Sequence, residues 1–408
     1  MNCRQMNWVA VSLSAFMLTM GCNRSAPQTT NDDEVQGTAP QAAEARNEQD
    51  ESAEAVEPAE FEVSAERVAG PFEHPWAVAF LPDNQMLVTE RPGRLQLVVD
   101  GEAQEVSGLP EISTQGQGGL LDVVIHPNYV ENRWIYMTFS KPGEGGNTAT
   151  ALMRGRLNGA ALQDVEEIFV QNRYSGAGRH YGSRLAWTGA GLLLMSIGDR
   201  GAEPPRAQDT ADHAGSLLRL NDDGSAAEGN PFVGSDEGLD EIFAWGLRNI
   251  QGLTVDIENE RIWASDHGPR GGDEINLVEG GENYGWPRQT HGRDYRTGGP
   301  FPGSEGEVVE GMVNPVHVFD PTHPPSGLAL VDSERYPGWE GNLLSGGLAS
   351  QVIYRLTLDG TQVVGEEKLL EEELGRIRDV RQGPDGFVYV LIDASEGNLY
   401  RLEVSAER

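Results

Sequence analysis

The chain has 408 residues, with 64 Asp and Glu against 30 Lys and Arg, for a formal net charge of −34. That balance excludes nucleic acid as a partner, because phosphate binding needs a positive surface; taken alone, it means solubility. The two cysteines, Cys3 and Cys22, both lie at the extreme N-terminus, so disulfides, Cys-ligated zinc and thiol redox chemistry are excluded from the remainder.

Arg4 is followed by an apolar stretch from Trp8 to Met20, too short to span a bilayer. It reads as an export signal. The ending "LTMGC" is similar to a bacterial lipoprotein processing site, although Thr19 stands where that pattern usually has Leu. The resemblance implies a signal over 1-21 and a lipidated Cys22 as the first mature residue. It also implies a periplasm-facing lipoprotein of the outer membrane, with no other membrane contact. An ordinary secretory signal with an incidental Cys is the alternative. Residues 22-61 are rich in Glu, Ala, Gln and Pro and carry few aliphatics. Such a segment cannot bury enough apolar surface to offset ordering, so we expect a disordered acidic tether.

From 62 to 408 one unit recurs: a turn, a short apolar run, a turn like Pro-Asp-Gly, and a second run with a polar residue at its exit. Examples in chain order are "AVAFLPDNQMLVTERPGRLQLV", "VVIHPNYVENRWIYMTFS", "RLAWTGAGLLLMSIGD" and "LTVDIENERIWASDHG". A less regular "GLALVDSERYPGWEGNLLSGGLASQVIYRLTLDG" and "VRQGPDGFVYVLIDASEGNLYRLEV" follow. The 51 glycines punctuate short runs, and no long stripe of 3.6-residue period appears. The expectation is an all-β chain, a β-propeller of six blades with seven as the alternative. In a propeller, residues at matching strand exits converge on the central axis.

Candidate chemistry sits at those exits. "STQGQGGLLDVVIHP" places Gln117 in a glycine-rich turn that opens no long helix, which argues against a nucleotide-phosphate loop. In "GRHYGSRLAWTGAGLLLMSIGDRG", His180 precedes one strand and Asp199 ends the next, so a hairpin of this length can join them. A histidine held by a carboxylate is a natural general base; a loop His beside a turn Asp is the plainer reading. "AWGLRNIQGL" sets Arg248 beside Asn249, suited to carboxylate or carbonyl recognition or to a surface ion pair. "SDHGPRGGDEINLVEGGENYGWP" offers Asp273, Glu274 and carbonyls at Gly268, Pro269 and Tyr284. Calcium takes such oxygens; a plain acidic turn that binds nothing is the alternative. In "GRIRDVRQGPDG", Arg376 and Arg378 share one strand face. Two such cations repel unless an anion lies between them, which favours a polyanionic ligand over a solvated edge. No HExxH, Walker or G-x-S-x-G element is present, and the eight histidines show no zinc spacing.

Together and in order, "GQGGLLDVVIHP", "GRHYGSRL…IGDRG", "GLRNIQGL", "DHGPRGGDEIN…NYGWP" and "RIRDV…PDG" resemble the soluble quinoprotein sugar dehydrogenases, the glucose/sorbosone dehydrogenase family, most of all its aldose branch. The resemblance runs from about Pro75 to Arg401. It implies a six-bladed propeller holding pyrroloquinoline quinone (PQQ) and calcium over its axis. It further implies His180 as catalytic base, Asp199 as its partner and Arg248 as the group that polarises the reacting carbonyl. With His180 and Arg248, the residues Gln117, Asn249, His267, Arg376 and Arg378 become cofactor contacts. Gly268 and Pro269 become ligands of a cofactor-side calcium. Glu274 and Tyr284, with Asp273 beside them, fall at a second, structural calcium. The reaction implied is oxidation of an aldose at C1 to a lactone. Electrons leave to an external acceptor, since no haem-binding CxxCH is present. The glucose-oxidising branch has Lys where Ala349 stands, Gln at His267 and Asp at Arg179. Two other readings stay open: a calcium-dependent lactonase-type hydrolase, and a non-catalytic extracytoplasmic propeller that binds a partner.

Overall fold

The short apolar runs pair into six four-stranded antiparallel sheets in the computed structural model, which describes residues 61–406. The expected signal and the acidic tether up to residue 60 lie outside that range. Each of the six quoted runs overlaps the first strand of one sheet. Those first strands are Pro75–Phe80, Leu120–Ile125, Leu185–Trp187, Ile250–Asp256, Pro325–Leu330 and Ile377–Gln382. Each touches the first strand of the sheet before and after it, and the sixth touches the first, so the sheets close into a ring. The architecture is the all-β six-bladed propeller, and the seven-blade alternative is ruled out.

Sequence polarity follows the distance from the axis. The innermost Pro75–Phe80, "PWAVAF", is buried at five of six positions, as expected for a strand covered on both faces. The outermost strand of the same blade, Glu102–Val106, is exposed at four of five, and its charges protect a free sheet edge. Six apolar clusters fill the spaces between neighbouring blades. Leu95 packs with Leu120 and Met137 between the first two. Val78 and Val88 pack with Leu391 and Leu399 where the last blade meets the first. That last junction is made by the strand Phe61–Phe72, which pairs with Gly397–Ala406 as the outer strand of the sixth blade.

The axis is bridged by Arg184, almost fully buried. Its Nη1 donates to Asp379 (2.7 Å), its Nε to the Gln251 carbonyl (2.5 Å), and its Nη2 to the Arg378 carbonyl (2.7 Å). The guanidinium lies 4.1 Å from the centre of the Trp76 ring. Arg184 thereby ties the third blade to the fourth, the sixth and the first.

Candidate active site

One cavity has a volume of about 490 Å³ and draws lining residues from all six blades. Volumes in this range suit a small organic ligand. Gln117, His180, Arg248, Asn249, His267, Arg376 and Arg378 all face it. Its charged lining consists of Arg91, Arg248, Arg376 and Arg378 against Asp393. A chain of net charge −34 therefore concentrates four guanidinium groups around one space. Nε of Arg248 and of Arg378 is buried without a hydrogen-bond partner among the described residues. Buried donors of this kind call for an acceptor.

His180 is brought to the rim by the hairpin of Leu185–Trp187 with Leu193–Ile197. Its Nδ1 lies 2.6 Å from Asp199 Oδ1. Asp199 is buried and also accepts from Trp286 Nε1 (2.8 Å) and the Gly201 amide (2.7 Å). Burial works against its charge, but the His180 and Trp286 bonds and nearby Arg248 outweigh it, so its pKa lies below the usual carboxylate value. An ionised Asp199 makes Nδ1 the protonated nitrogen, which leaves Nε2 as the basic one. For His180 itself, burial outweighs the attraction of Asp199 and holds the pKa below the ordinary histidine value. The ring is neutral at neutral pH. The backbone of His180 is left-handed (φ 52), an uncommon state for a residue with a side chain. Gln117 Oε1 accepts its amide at 2.8 Å. Across the turn, a Cβ on Gly198 would stand 2.3 Å from the His180 carbonyl, so only glycine permits this approach.

Arg248 and Asn249 donate their amides to Asp266 (2.8 and 2.6 Å). Arg248 Nη1 donates to the His267 carbonyl (2.9 Å), and the guanidinium lies 5.2 Å from the Trp286 ring centre. Asn249 Oδ1 accepts from the Gly182 amide (3.0 Å). His267 bonds the Pro325 carbonyl through Nε2, and burial, reinforced by Arg248, pushes its pKa down to about 3.

Arg376 and Arg378 do share an anion, but it belongs to the protein. Asp393, opposite them on the adjoining strand, lies 2.9 Å from Arg378 Nη2 and 3.6 Å from Arg376 Nη2, and its other oxygen meets His74 Nδ1 at 2.9 Å. The pair by itself therefore does not demand a ligand; the surplus of the whole cavity does. Burial opposes the Asp393 charge, yet Arg378, His74 and Arg376 hold its carboxyl at about 2. This folded value lies below the unfolded one, so the stabilisation is complete above about pH 4 and fades as pH falls toward the folded value. Burial also penalises the Arg378 cation. We therefore expect Asp393→Asn to cost roughly 1–2 kcal/mol at pH 7 in urea unfolding, with the gap from wild type closing below about pH 4.

The glycine-rich loop divides in two. Asp273 does not face either cavity. Its Oδ1 accepts the Gly268 amide (3.0 Å), and its Oδ2 accepts Thr322 Oγ1 (2.7 Å) and the His323 amide (3.0 Å). It holds the loop in shape, a role that sequence spacing does not reveal because Thr322 and His323 are remote in the chain. The Pro269 carbonyl accepts the Arg293 amide (2.7 Å), while the Gly268 carbonyl has no partner among the described residues. Glu274 and Tyr284 instead line a separate small cavity of about 10 Å³ with Asp266 and Gly268. The Tyr284 hydroxyl is engaged by Leu277 and Glu279, so only its carbonyl remains to serve that space. Burial, then the charge of Asp266, pushes the Glu274 carboxyl up to about 8. Among the described residues no three His, Cys, Asp or Glu side chains converge as a metal site. A cation here would rest on single carboxylates and backbone carbonyls, the donor set calcium accepts.

Sequence reasoning missed His74, Trp76, Gln251, Asp266, Leu348 and Asp393. Asp266 carries a signal, standing in "ASDHG" at a strand exit. Asp393 and His74 carry none, being 319 positions apart. Ala349, where a lysine was expected in the glucose branch, is exposed; Leu348 lines the cavity instead.

Comparison with known proteins places these features in context. The family model for glucose / sorbosone dehydrogenase matches residues 72–401. The aldose sugar dehydrogenase YliI of Escherichia coli (strain K12) is 38% identical over 345 residues, covering 83% of this chain and 92% of that protein. The apo crystal structure of the soluble aldose sugar dehydrogenase from Escherichia coli superimposes with a TM-score of 0.81, at 38% identity, over 85% of this chain and 100% of that one. The PQQ-bound form of aldose sugar dehydrogenase from Streptomyces coelicolor gives a TM-score of 0.67 at 26% identity, over 85% of this chain and 99% of that one.

Proposed function

The chain belongs to the glucose/sorbosone dehydrogenase family of oxidoreductases, and we propose that it oxidises the anomeric C1 hydroxyl of aldose sugars to lactones with PQQ and calcium. The observation that carries this reading is the arginine-lined cavity beside a neutral, carboxylate-held histidine. The residues fit the cofactor. Arg248 and Arg378 each present an unpartnered buried Nε, and Arg376 stands half-exposed beside them, so a planar tricarboxylate would meet three guanidinium groups. Gln117 and Asn249 would add amide contacts. The free Gly268 carbonyl, Glu274 and the Tyr284 carbonyl border the same small cavity and would serve a calcium there, where a cation relieves the repulsion from Asp266; Pro269, whose carbonyl accepts the Arg293 amide, lines neither cavity.

When bound, PQQ with its calcium supplies the acceptor for the two electrons that leave the anomeric carbon. The rest is done by the chain. His180 Nε2 takes the proton of the anomeric hydroxyl. Asp199 fixes the tautomer and stabilises the imidazolium that forms. Arg248, itself buried, provides a fixed positive charge where negative charge would grow. Electrons then pass to an external acceptor, and the export signal with Cys22 would set the enzyme on the periplasmic side of the outer membrane.

The test is reconstitution of the mature chain with PQQ and calcium, followed by dye reduction on a panel of aldoses. Turnover should require PQQ and disappear with EDTA. Failure of PQQ to bind would overturn the reading and return the lactonase and the binding module to the front.

A further inference from the structure

Arg200 directly follows Asp199 and has no part in the steps above. It is fully buried, at 0% exposure. Among the described residues no carboxylate pairs with it. Its Nη1 instead donates to the carbonyls of Arg179 (2.8 Å) and His180 (3.1 Å), and its Nη2 to Thr148 Oγ1 (3.1 Å). The guanidinium lies 3.6 Å from the centre of the Tyr181 ring, and its Nε is unpartnered. A buried cation without a counter-ion is a poor device for stability alone. All of these contacts except those to Thr148 fall on residues 179–181, the turn on which His180 adopts its left-handed backbone, and Thr148 Oγ1 itself lies 2.7 Å from the Tyr181 hydroxyl. The His180 carbonyl is held between Arg200 Nη1 and the bare Cα of Gly198.

We propose that Arg200 is a positioning residue for the proton-accepting imidazole. Asp199 orients the ring; Arg200 holds the backbone that carries it. Without the guanidinium, two carbonyls lose their shared donor and the strained turn can relax toward an ordinary conformation, carrying Nε2 away from the cavity. The inference rests on the proposed aldose oxidation for its kinetic consequence, but its geometric content does not.

The experiment compares wild type with Arg200→Met and Arg200→Lys in the full chain. In the apo-protein, the His180 Nδ1 proton is followed by NMR and assigned by its loss in His180→Gln. Arg200→Met should shift or broaden that resonance, and in the reconstituted enzyme it should lower kcat on the order of 10- to 100-fold, with KM for the sugar within about threefold. Arg200→Lys, able to bond one carbonyl but not both, should recover part of each effect. If Arg200→Met does not fold, Arg200→Lys carries both readouts against wild type. An unchanged Nδ1 resonance overturns the proposal, even if thermal stability falls. Should wild type oxidise no aldose, the proposed function fails, while the resonance still decides whether Arg200 positions His180.

Discussion

Replacing His180 by Gln is expected to reduce kcat for aldose oxidation on the order of 10³-fold while leaving the fold and PQQ binding intact. The magnitude follows from what the side chain alone supplies. Burial keeps the ring neutral and the Asp199 bond protonates Nδ1, so Nε2 is a preformed proton acceptor. Glutamine preserves the volume and a hydrogen bond but cannot take up a proton. The remaining groups that would hold the ligand are untouched, so KM should change little. The same geometry sets the pH dependence. The imidazole is active when neutral, and burial lowers its pKa, so activity should persist below the ordinary histidine range before its acid limb falls. A circular-dichroism melt and the pH profile of kcat together check the prediction; near-wild-type kcat in His180→Gln would remove His180 from the role of base.

The second large effect concerns Arg248. Arg248→Met is expected to lower kcat on the order of 10²- to 10³-fold, the usual cost of losing a preorganised charge where charge develops. The guanidinium is already fixed by the His267 carbonyl and the Trp286 ring face, so it needs no reorganisation during reaction. Arg248→Lys should recover little, because one ammonium cannot occupy both the His267 contact and the free Nε direction. A separate consequence distinguishes loss of charge from loss of shape. Arg248 is among the groups that depress the His180 pKa. Its removal should raise that pKa and move the acid limb of the rate profile to higher pH. A normal acid limb with a reduced rate would mean that Arg248 acts only through packing.

The chain's motifs indicate these residues before any fold is known, but they do not indicate how each is used. "GRHYGSRL" and "IGDRG" name both members of the His180–Asp199 pair because a short hairpin joins them locally. The same motifs contain Arg184 and Arg200, which look like ordinary loop arginines in sequence. Arg184 bridges the axis because its partners Asp379 and Arg378 lie on another blade; Arg200 meets the carbonyls of Arg179 and His180 within its own blade's loops, and only Thr148 on the blade before it. Arg376 and Arg378 are visible as a pair; Asp393, which neutralises them, is not, because its relation to His74 spans the ring closure. Asp273 and Glu274 are adjacent and chemically alike, yet one is turned into the loop and the other toward a small cavity. The strand begins at Glu274, so Asp273 is placed by the loop before it and Glu274 by the sheet, a boundary that composition does not mark.

Sequence by itself determined the class of structure and pointed to seven of the residues that line the cavity. Apolar runs of strand length, separated by turns and repeated six times, have few stable solutions other than blades around an axis. Tertiary structure alone decided the electrostatics. The net charge of −34 belongs to the chain as a whole, whereas the cavity gathers Arg91, Arg248, Arg376 and Arg378 from three blades into one space. Charge interactions and burial depend on distances across the ring, and those distances exist only once it has closed.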